Sequence, residues 1–202
     1  MLGEFPIYYA EIATDDDGIT CVSLVDYPAV KSNFVAFSKH DMPKREALRF
    51  ATLENEEQHL LLGVIMRADY PIYRNEMGEE FYIVYSADTI RHMAEKMLYN
   101  GYTSSVNLQH NGENIDGVNL QELFIKDSSK GIVPKGFEDI EDGSLFGVYK
   151  VHNEEVWQMA KRGECAGFSL EGFFHLNRKE DELKAMMAEC EEIERQLNEL
   201  IK

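Results

Sequence analysis

The central stretch of this chain is Arg162-Gly163-Glu164-Cys165-Ala166-Gly167-Phe168-Ser169-Leu170-Glu171-Gly172-Phe173-Phe174. It places one serine, Ser169, among glycines, after a helix-like segment and at the head of an apolar run. Small neighbours let another chain approach the hydroxyl closely, which is one way to present a nucleophile. The residues also alternate well enough for an ordinary strand with Ser169 on one face. Taken alone, the stretch favours the ordinary strand, and other parts of the chain are needed to support Ser169 as a nucleophile.

Composition narrows the class of protein. Of the 202 residues, 44% are hydrophobic and 28% are charged, which is ordinary for a globular protein with a core. The net charge of −17 argues against binding nucleic acid, because phosphate contacts need a Lys/Arg surface. No apolar run approaches the length of a membrane span. The three cysteines are widely spaced, and metal, phosphate-loop and dinucleotide motifs are absent, so the sequence predicts no cofactor.

The chain divides into four predicted segments. They are an N-terminal β arm (1–38), a linker (39–57), a main domain (58–178) and a C-terminal helix (179–202). The arm holds two predicted strands, 5–12 and 19–25, and a further short apolar segment at 33–37. Asp15-Asp16-Asp17-Gly18 lies between the two strands and is interpreted as a hairpin turn rather than a calcium loop, since the closing glutamate is missing.

The main domain mixes strands with two helices, which predicts an α+β fold. A helix is expected over 87–99, with Ser86 as N-cap, and a second from Asn153 through Lys161. Residues 105–110 and 118–125 are interpreted as a hairpin-like unit with His110 at its mouth. Further strands are predicted at 60–66, 81–85 and 145–151, and another strand, after the second helix, carries Ser169.

The C-terminal residues 179–202 have a different pattern. Apolar residues recur there at the spacing of a coiled-coil seam: Leu183, Met186, Cys190, Ile193, Leu197 and Leu200. The run is short for an isolated coiled coil. It predicts a terminal helix that dimerises, docks on the domain or begins a longer tail.

A nucleophilic serine needs a base within reach and a group that orients the base. Of the six histidines, His110 is the best placed, at a strand end beside a Gly/Asn-rich loop. The orienting acid is open: Glu171 shares a strand face with Ser169, Glu122 lies on the strand returning from His110, and Asp116 lies in the turn between. A thiol alternative pairs Cys165 with His110, but Ser169 is better framed by glycines.

Several motifs, in order, resemble the XkdF-like family of phage serine proteases. The similarity covers roughly residues 5–175. The motifs are Ser23-Leu24-Val25-Asp26-Tyr27-Pro28-Ala29-Val30, Asn33-Phe34-Val35-Ala36-Phe37-Ser38, Pro71-Ile72-Tyr73-Arg74, Gly78-Glu79-Glu80-Phe81-Tyr82, Asn107-Leu108-Gln109-His110, Glu155-Val156-Trp157 and residues 163–172. That family is similar to the phage prohead proteases, whose fold is shared with the herpesvirus assemblin proteases.

The resemblance implies a mostly antiparallel β-barrel flanked by helices and a role in capsid maturation. Major capsid protein and scaffold segments would be cleaved inside the assembling prohead, in the host cytoplasm. Carried over by motif, Ser169 would be the nucleophile and His110 the general base. The third residue departs from the pattern, because no strand is evident beyond the serine strand to carry it. Glu171 or Glu122 then serves, the site is a dyad, or the chain is an inactive scaffold or assembly protein acting through its tail.

Overall fold

The computed structural model describes residues 5–26, 51–52 and 58–178. Within them the chain forms eleven strands and two α-helices, so the predicted α+β class with mostly β content is confirmed. The strands are β1 (Ile7–Glu11), β2 (Gly18–Val25), β3 (Ala51–Thr52), β4 (Leu60–Met66), β5 (Ile72–Glu76), β6 (Glu79–Tyr85), β7 (Val106–Leu108), β8 (Val118–Ile125), β9 (Leu145–Val151), β10 (Gly167–Phe173) and β11 (His175–Asn177). The helices are α1 (Ala87–Tyr99) and α2 (Glu154–Arg162), with short 3₁₀ turns at Tyr102–Ser104 and Ser128–Lys130.

The described strands form three open sheets. Their orders are β11-β1-β6-β5, β10-β2-β7 and β3-β4-β9-β8. Pairing is mostly antiparallel, as predicted, and only β1–β6 and β2–β7 are parallel. The closed barrel is not confirmed, because closure requires an unbroken ladder around the whole sheet. Strand β10 lies close to β4, but the two are not hydrogen-bonded neighbours.

The two predicted hairpins are wrong. Strands β1 and β2 lie in different sheets, where β1 pairs with β6 and β2 pairs with β10 and β7. The turn between β1 and β2 redirects the chain because the Asp17 carboxylate binds the backbone N–H groups of Ala13 and Thr14. Strand β7 likewise pairs with β2, whereas β8 pairs with β9.

The helices follow their predicted signals closely. The Ser86 hydroxyl accepts a hydrogen bond from the Thr89 N–H and begins α1, and Asn153 caps α2 in the same way through Val156. Four apolar residues at helical spacing form the buried face of α1. Each stabilises the fold in rough proportion to the apolar area that it removes from water. They are Ile90, Met93, Ala94 and Met97. On α2, Val156 and Trp157 are buried, and the Trp157 ring stacks on His59.

Both strands of the predicted N-terminal arm are built into sheets with strands of the main domain. The boundaries at 38, 57 and 178 stay predictions. The apolar segment 33–37, nearly all of the linker and the C-terminal helix 179–202 lie outside the described residues. Among the helices that are described, none is long and apolar enough to cross a membrane.

Candidate active site

Ser169 lies on β10, and its position across the sheet places two further polar residues beside it. In the ladder Ser169 is opposite Ser23 of β2, and Ser23 is in turn opposite Asn107 of β7. Residues in register on neighbouring strands point to the same face of a sheet. The opposite face carries Val22, Leu24 and Phe168, which belong to the hydrophobic core. One face of this sheet therefore holds a row of buried polar side chains.

His110 and Glu171 meet at the edge of this row. Strand β7 ends at Leu108, and Gln109 and His110 adopt positive φ angles of 51° and 56°, which turn the chain back over the sheet. The His110 Nδ1 atom lies 2.8 Å from the Glu171 Oε1 atom. Glu171 is two residues beyond Ser169 on β10 and so shares its face. The structure thus brings together two of the predicted site residues.

Ser23 and Asn107 complete the cluster, and sequence analysis did not select either of them as a site residue. The Ser23 Oγ atom lies 2.6 Å from Glu171 Oε1, 2.6 Å from Asn107 Oδ1 and 2.9 Å from His110 Nδ1. The Asn107 Nδ2 group donates to Glu171 Oε1 at 2.8 Å. A signal for both was available: each is a polar residue flanked by apolar ones in a buried strand, Val22-Ser23-Leu24 and Val106-Asn107-Leu108.

The hydrogen bonds keep the Glu171 carboxylate charged. Partial burial opposes ionisation, but donation from Ser23, Asn107 and His110 lowers the pKa of Glu171 below its ordinary value. Cys21 is opposite Glu171 in the ladder, and burial together with the Glu171 charge raises the pKa of the Cys21 thiol to about 11. The site therefore combines an ionised carboxylate with a neutral thiol.

Ser169 itself stands apart from the hydrogen-bonded cluster. Its hydroxyl makes no hydrogen bond to His110, or to any other side chain in the described part of the protein, and the residue is 8% exposed. Since Glu171 occupies Nδ1 of His110, the Nε2 atom remains for a substrate or a nucleophile. No described residue is hydrogen-bonded to Nε2.

The other candidates lie elsewhere or lack the needed chemistry. Glu122 is exposed on β8, opposite Val148 of β9, and is not among the hydrogen-bond partners of His110. Cys165 is buried, and burial raises the pKa of its thiol to about 11, which leaves little thiolate for nucleophilic attack. Asp116 lies in the loop before β8, where its backbone carbonyl accepts a hydrogen bond from Asn153.

The arrangement can hold the His110 imidazole in one tautomer. A carboxylate accepts only, so it selects the imidazole tautomer with its proton on Nδ1 and leaves a lone pair on Nε2. Across residues 5–26, 51–52 and 58–178, no group of three or more His, Cys, Asp or Glu residues could hold a metal ion. The chemistry available to these side chains is acid–base and nucleophilic.

A carboxylate–histidine pair on the same sheet face as a strand serine is a set of groups from which serine peptidases are built. Residues 47–177, more than half of the chain, match a family model described as "Putative phage serine protease XkdF", and the chain belongs to this family. The matched region contains Asn107, His110, Ser169 and Glu171, whereas Ser23 lies before it. No curated protein and no solved structure matches the chain.

Proposed function

We propose that this chain is a serine endopeptidase of phage head assembly. Ser169 is the nucleophile, His110 the general base, and Glu171 the residue that orients His110. The observation that carries the proposal is the 2.8 Å contact between His110 Nδ1 and Glu171 Oε1 on the sheet face that also bears Ser169. The membership of a family described as phage serine proteases supports the same reaction class.

In the proposed mechanism His110 first accepts a proton and later donates it. The ionised Glu171 accepts a hydrogen bond from the Nδ1–H group of His110, which leaves the Nε2 lone pair free. His110 Nε2 therefore takes the Ser169 proton as the hydroxyl oxygen attacks the peptide carbonyl carbon. Backbone N–H groups near the serine strand stabilise the oxyanion. His110 then gives the proton to the leaving amine, and water hydrolyses the acyl-enzyme by the same route. The contact between Ser169 and Nε2 forms when substrate binds, since unliganded enzymes often hold these groups apart.

The proposed substrates are segments of the major capsid protein and of the scaffold. Cleavage takes place inside the assembling prohead, in the host cytoplasm. The chain acts there as a homo-oligomer joined through the apolar seam of residues 179–202. Deleting these residues should lower the sedimentation coefficient to that of a monomer, and an unchanged sedimentation profile would contradict the oligomer.

A second candidate is an inactive scaffold or assembly protein on the same fold. It is favoured by one observation, the lack of a hydrogen bond between the Ser169 hydroxyl and His110. In that case the cluster around Glu171 only stabilises the sheet. The two candidates differ in whether Ser169 reacts.

Labelling with a fluorophosphonate, which phosphonylates reactive serines, separates them. The proposal predicts one label per chain, mapped to Ser169 by mass spectrometry, and none in Ser169→Ala. The matched control is Ser144→Ala, because Ser144 is also buried but accepts a hydrogen bond from the backbone N–H of Ala68. Ser144→Ala should label like the wild type.

Co-expression with the major capsid protein extends the test to the substrate. A specific truncation of the capsid protein should appear with the wild-type chain and be absent with Ser169→Ala. Identical masses with both chains, together with no labelling, would support the inactive assembly protein.

A further inference from the structure

Ser23 and Asn107 are buried polar residues in the interiors of strands β2 and β7. Ser23 is 0% exposed and Asn107 is 2% exposed. A buried hydroxyl or amide costs free energy unless it is hydrogen-bonded, and replacing such a group together with its partner by apolar groups of the same shape can be nearly neutral. Both side chains direct their hydrogen bonds to the same atom, Oε1 of Glu171. Their partner is therefore the acid of the proposed site.

The protons of this cluster can be assigned from its donors and acceptors. The Glu171 carboxylate accepts only, and so does the Asn107 Oδ1 atom. The Ser23 oxygen lies 2.6 Å from each of them, and its single proton goes to the carboxylate, because a hydrogen bond to a charged acceptor is the stronger of the two. If Ser23 instead donated to His110 Nδ1, the Nδ1 lone pair would face the Glu171 carboxylate at 2.8 Å. That contact is repulsive, so Nδ1 carries the proton.

Ser23 is not placed as a nucleophile. It is fully buried, and it contacts His110 at Nδ1, the atom that faces the carboxylate. A base that activates a serine does so through the opposite nitrogen. Ser23 also lies outside residues 47–177, the region that matches the family model.

We infer that Ser23 and Asn107 are positioning residues: they fix the Glu171 carboxylate against His110 and thereby hold the imidazole with its proton on Nδ1 and its Nε2 lone pair available. The inference rests on the proposed function. Glu171 has a long side chain that is 32% exposed, so it has other rotamers to occupy when these two hydrogen bonds are missing. His110, 43% exposed at the start of a loop, then loses its acceptor.

The direct test is the tautomer of His110, read from the imidazole ¹⁵N chemical shifts at a pH where the ring is neutral. The wild type should show the Nδ1–H form. Ser23→Ala and Asn107→Leu should each shift the population towards Nε2–H, and the double variant should shift it furthest. Ser144→Ala, which removes another buried serine hydroxyl, should leave the tautomer unchanged.

The rate of fluorophosphonate labelling at Ser169 gives a second readout. Loss of one hydrogen bond to a charged group should slow labelling about tenfold in each single variant. An Nδ1–H tautomer and a labelling rate that both stay as in the wild type in the single and double variants would overturn the inference. Label mapped to Ser23 instead of Ser169 would overturn it as well.

The two proposals fail in different ways. A wild-type chain that takes no label contradicts the proposed protease, while the tautomer measurement still decides whether Ser23 and Asn107 hold the pair. Thermal melts of each variant identify any that does not fold. Asn107→Leu keeps the approximate shape of the side chain, so it remains informative if Ser23→Ala is unstable.

Discussion

Two carboxylate–histidine pairs include residues of the β10–β11 segment that are four positions apart, Glu171 and His175, and the two pairs are built differently. In one, Glu171 binds His110 at 2.8 Å, and in the other, Asp17 binds His175 at 2.9 Å. The further partners of Glu171 are buried side chains, Ser23 and Asn107. Those of Asp17 are backbone N–H groups, from Ala13 and Thr14.

The backbone partners show what the Asp17 pair does for the fold. Asp17 is 5% exposed and closes the turn between β1 and β2, and His175 attaches β11 to that turn. Backbone N–H groups in a turn need acceptors in any case, so this carboxylate satisfies donors that the fold creates. The Glu171 pair instead accepts hydrogen bonds from polar side chains in strand interiors, where burial of a polar group costs free energy unless it is hydrogen-bonded. Asp17 thus serves the fold, and the proposed function gives Glu171 the chemical role.

The largest expected difference between the pairs is in reactivity. His110→Ala should slow fluorophosphonate labelling of Ser169 about 10³-fold, the size of a general-base contribution. His175→Ala should leave the labelling rate unchanged, because His175 contacts Asp17 and not the site. Equal losses in the two variants, with both still folded, would contradict the division of roles.

A smaller effect, on stability, is expected at the glycine between the pairs. A Cβ atom at Gly172 would lie 2.1 Å from the Gly18 carbonyl oxygen, which is backbone and cannot move aside alone. Gly172→Ala should therefore lower the free energy of unfolding by about 1–3 kcal/mol, measured by urea denaturation. Its neighbour Phe173 is exposed, so Phe173→Ala should change the value by less than about 0.5 kcal/mol. If Gly172→Ala left the free energy of unfolding unchanged, the irregular β10–β2 pairing at this point would have to shift and make room for the added Cβ atom.

The smallest expected effect is the pH dependence that Asp17 gives to folding. Burial opposes ionisation, but the N–H groups of Thr14 and Ala13 and the His175 side chain lower the pKa of Asp17 from 3.8 to about 2. Because the folded state holds the charged form more tightly, this stabilisation is complete above pH 3.8 and disappears as the pH falls through about 2.

Asp17→Asn should therefore flatten the fall in stability across that acidic interval, as measured by denaturant titrations at a series of pH values. Asp16→Asn is the control, since Asp16 is exposed in the same turn. The same acid dependence in both variants and in the wild type would contradict the role of Asp17 in stabilising the turn.

Local sequence signals predicted the elements well. The bounds of β4, β8, β9 and α1 match the prediction, as do the Ser86 and Asn153 caps and the strand that carries Ser169. Each of these depends on a periodicity or a cap within a few residues. His110, predicted from its strand end, lies beside Glu171, which was one of the acids that the sequence left open.

Strand pairing was where sequence reasoning failed. Nothing within either sequence segment distinguishes a hairpin from two strands that leave for different sheets, and both supposed hairpins were wrong. As a result Glu122 was considered as a neighbour of His110, whereas β8 pairs with β9. Ser23 was not selected as a site residue, because its contacts join distant parts of the chain: Asn107 is 84 positions away and Glu171 is 148 positions away.

The sequence by itself determined which residues form strands and helices, which face of each is apolar, and that Ser169 and Glu171 share a face. These follow from backbone geometry, which is local. Only the tertiary structure decided that β2 lies between β10 and β7. That order inserts Ser23 between Ser169 and Asn107 and completes the cluster around Glu171, because the choice of strand partners depends on packing of the whole core rather than on any one segment.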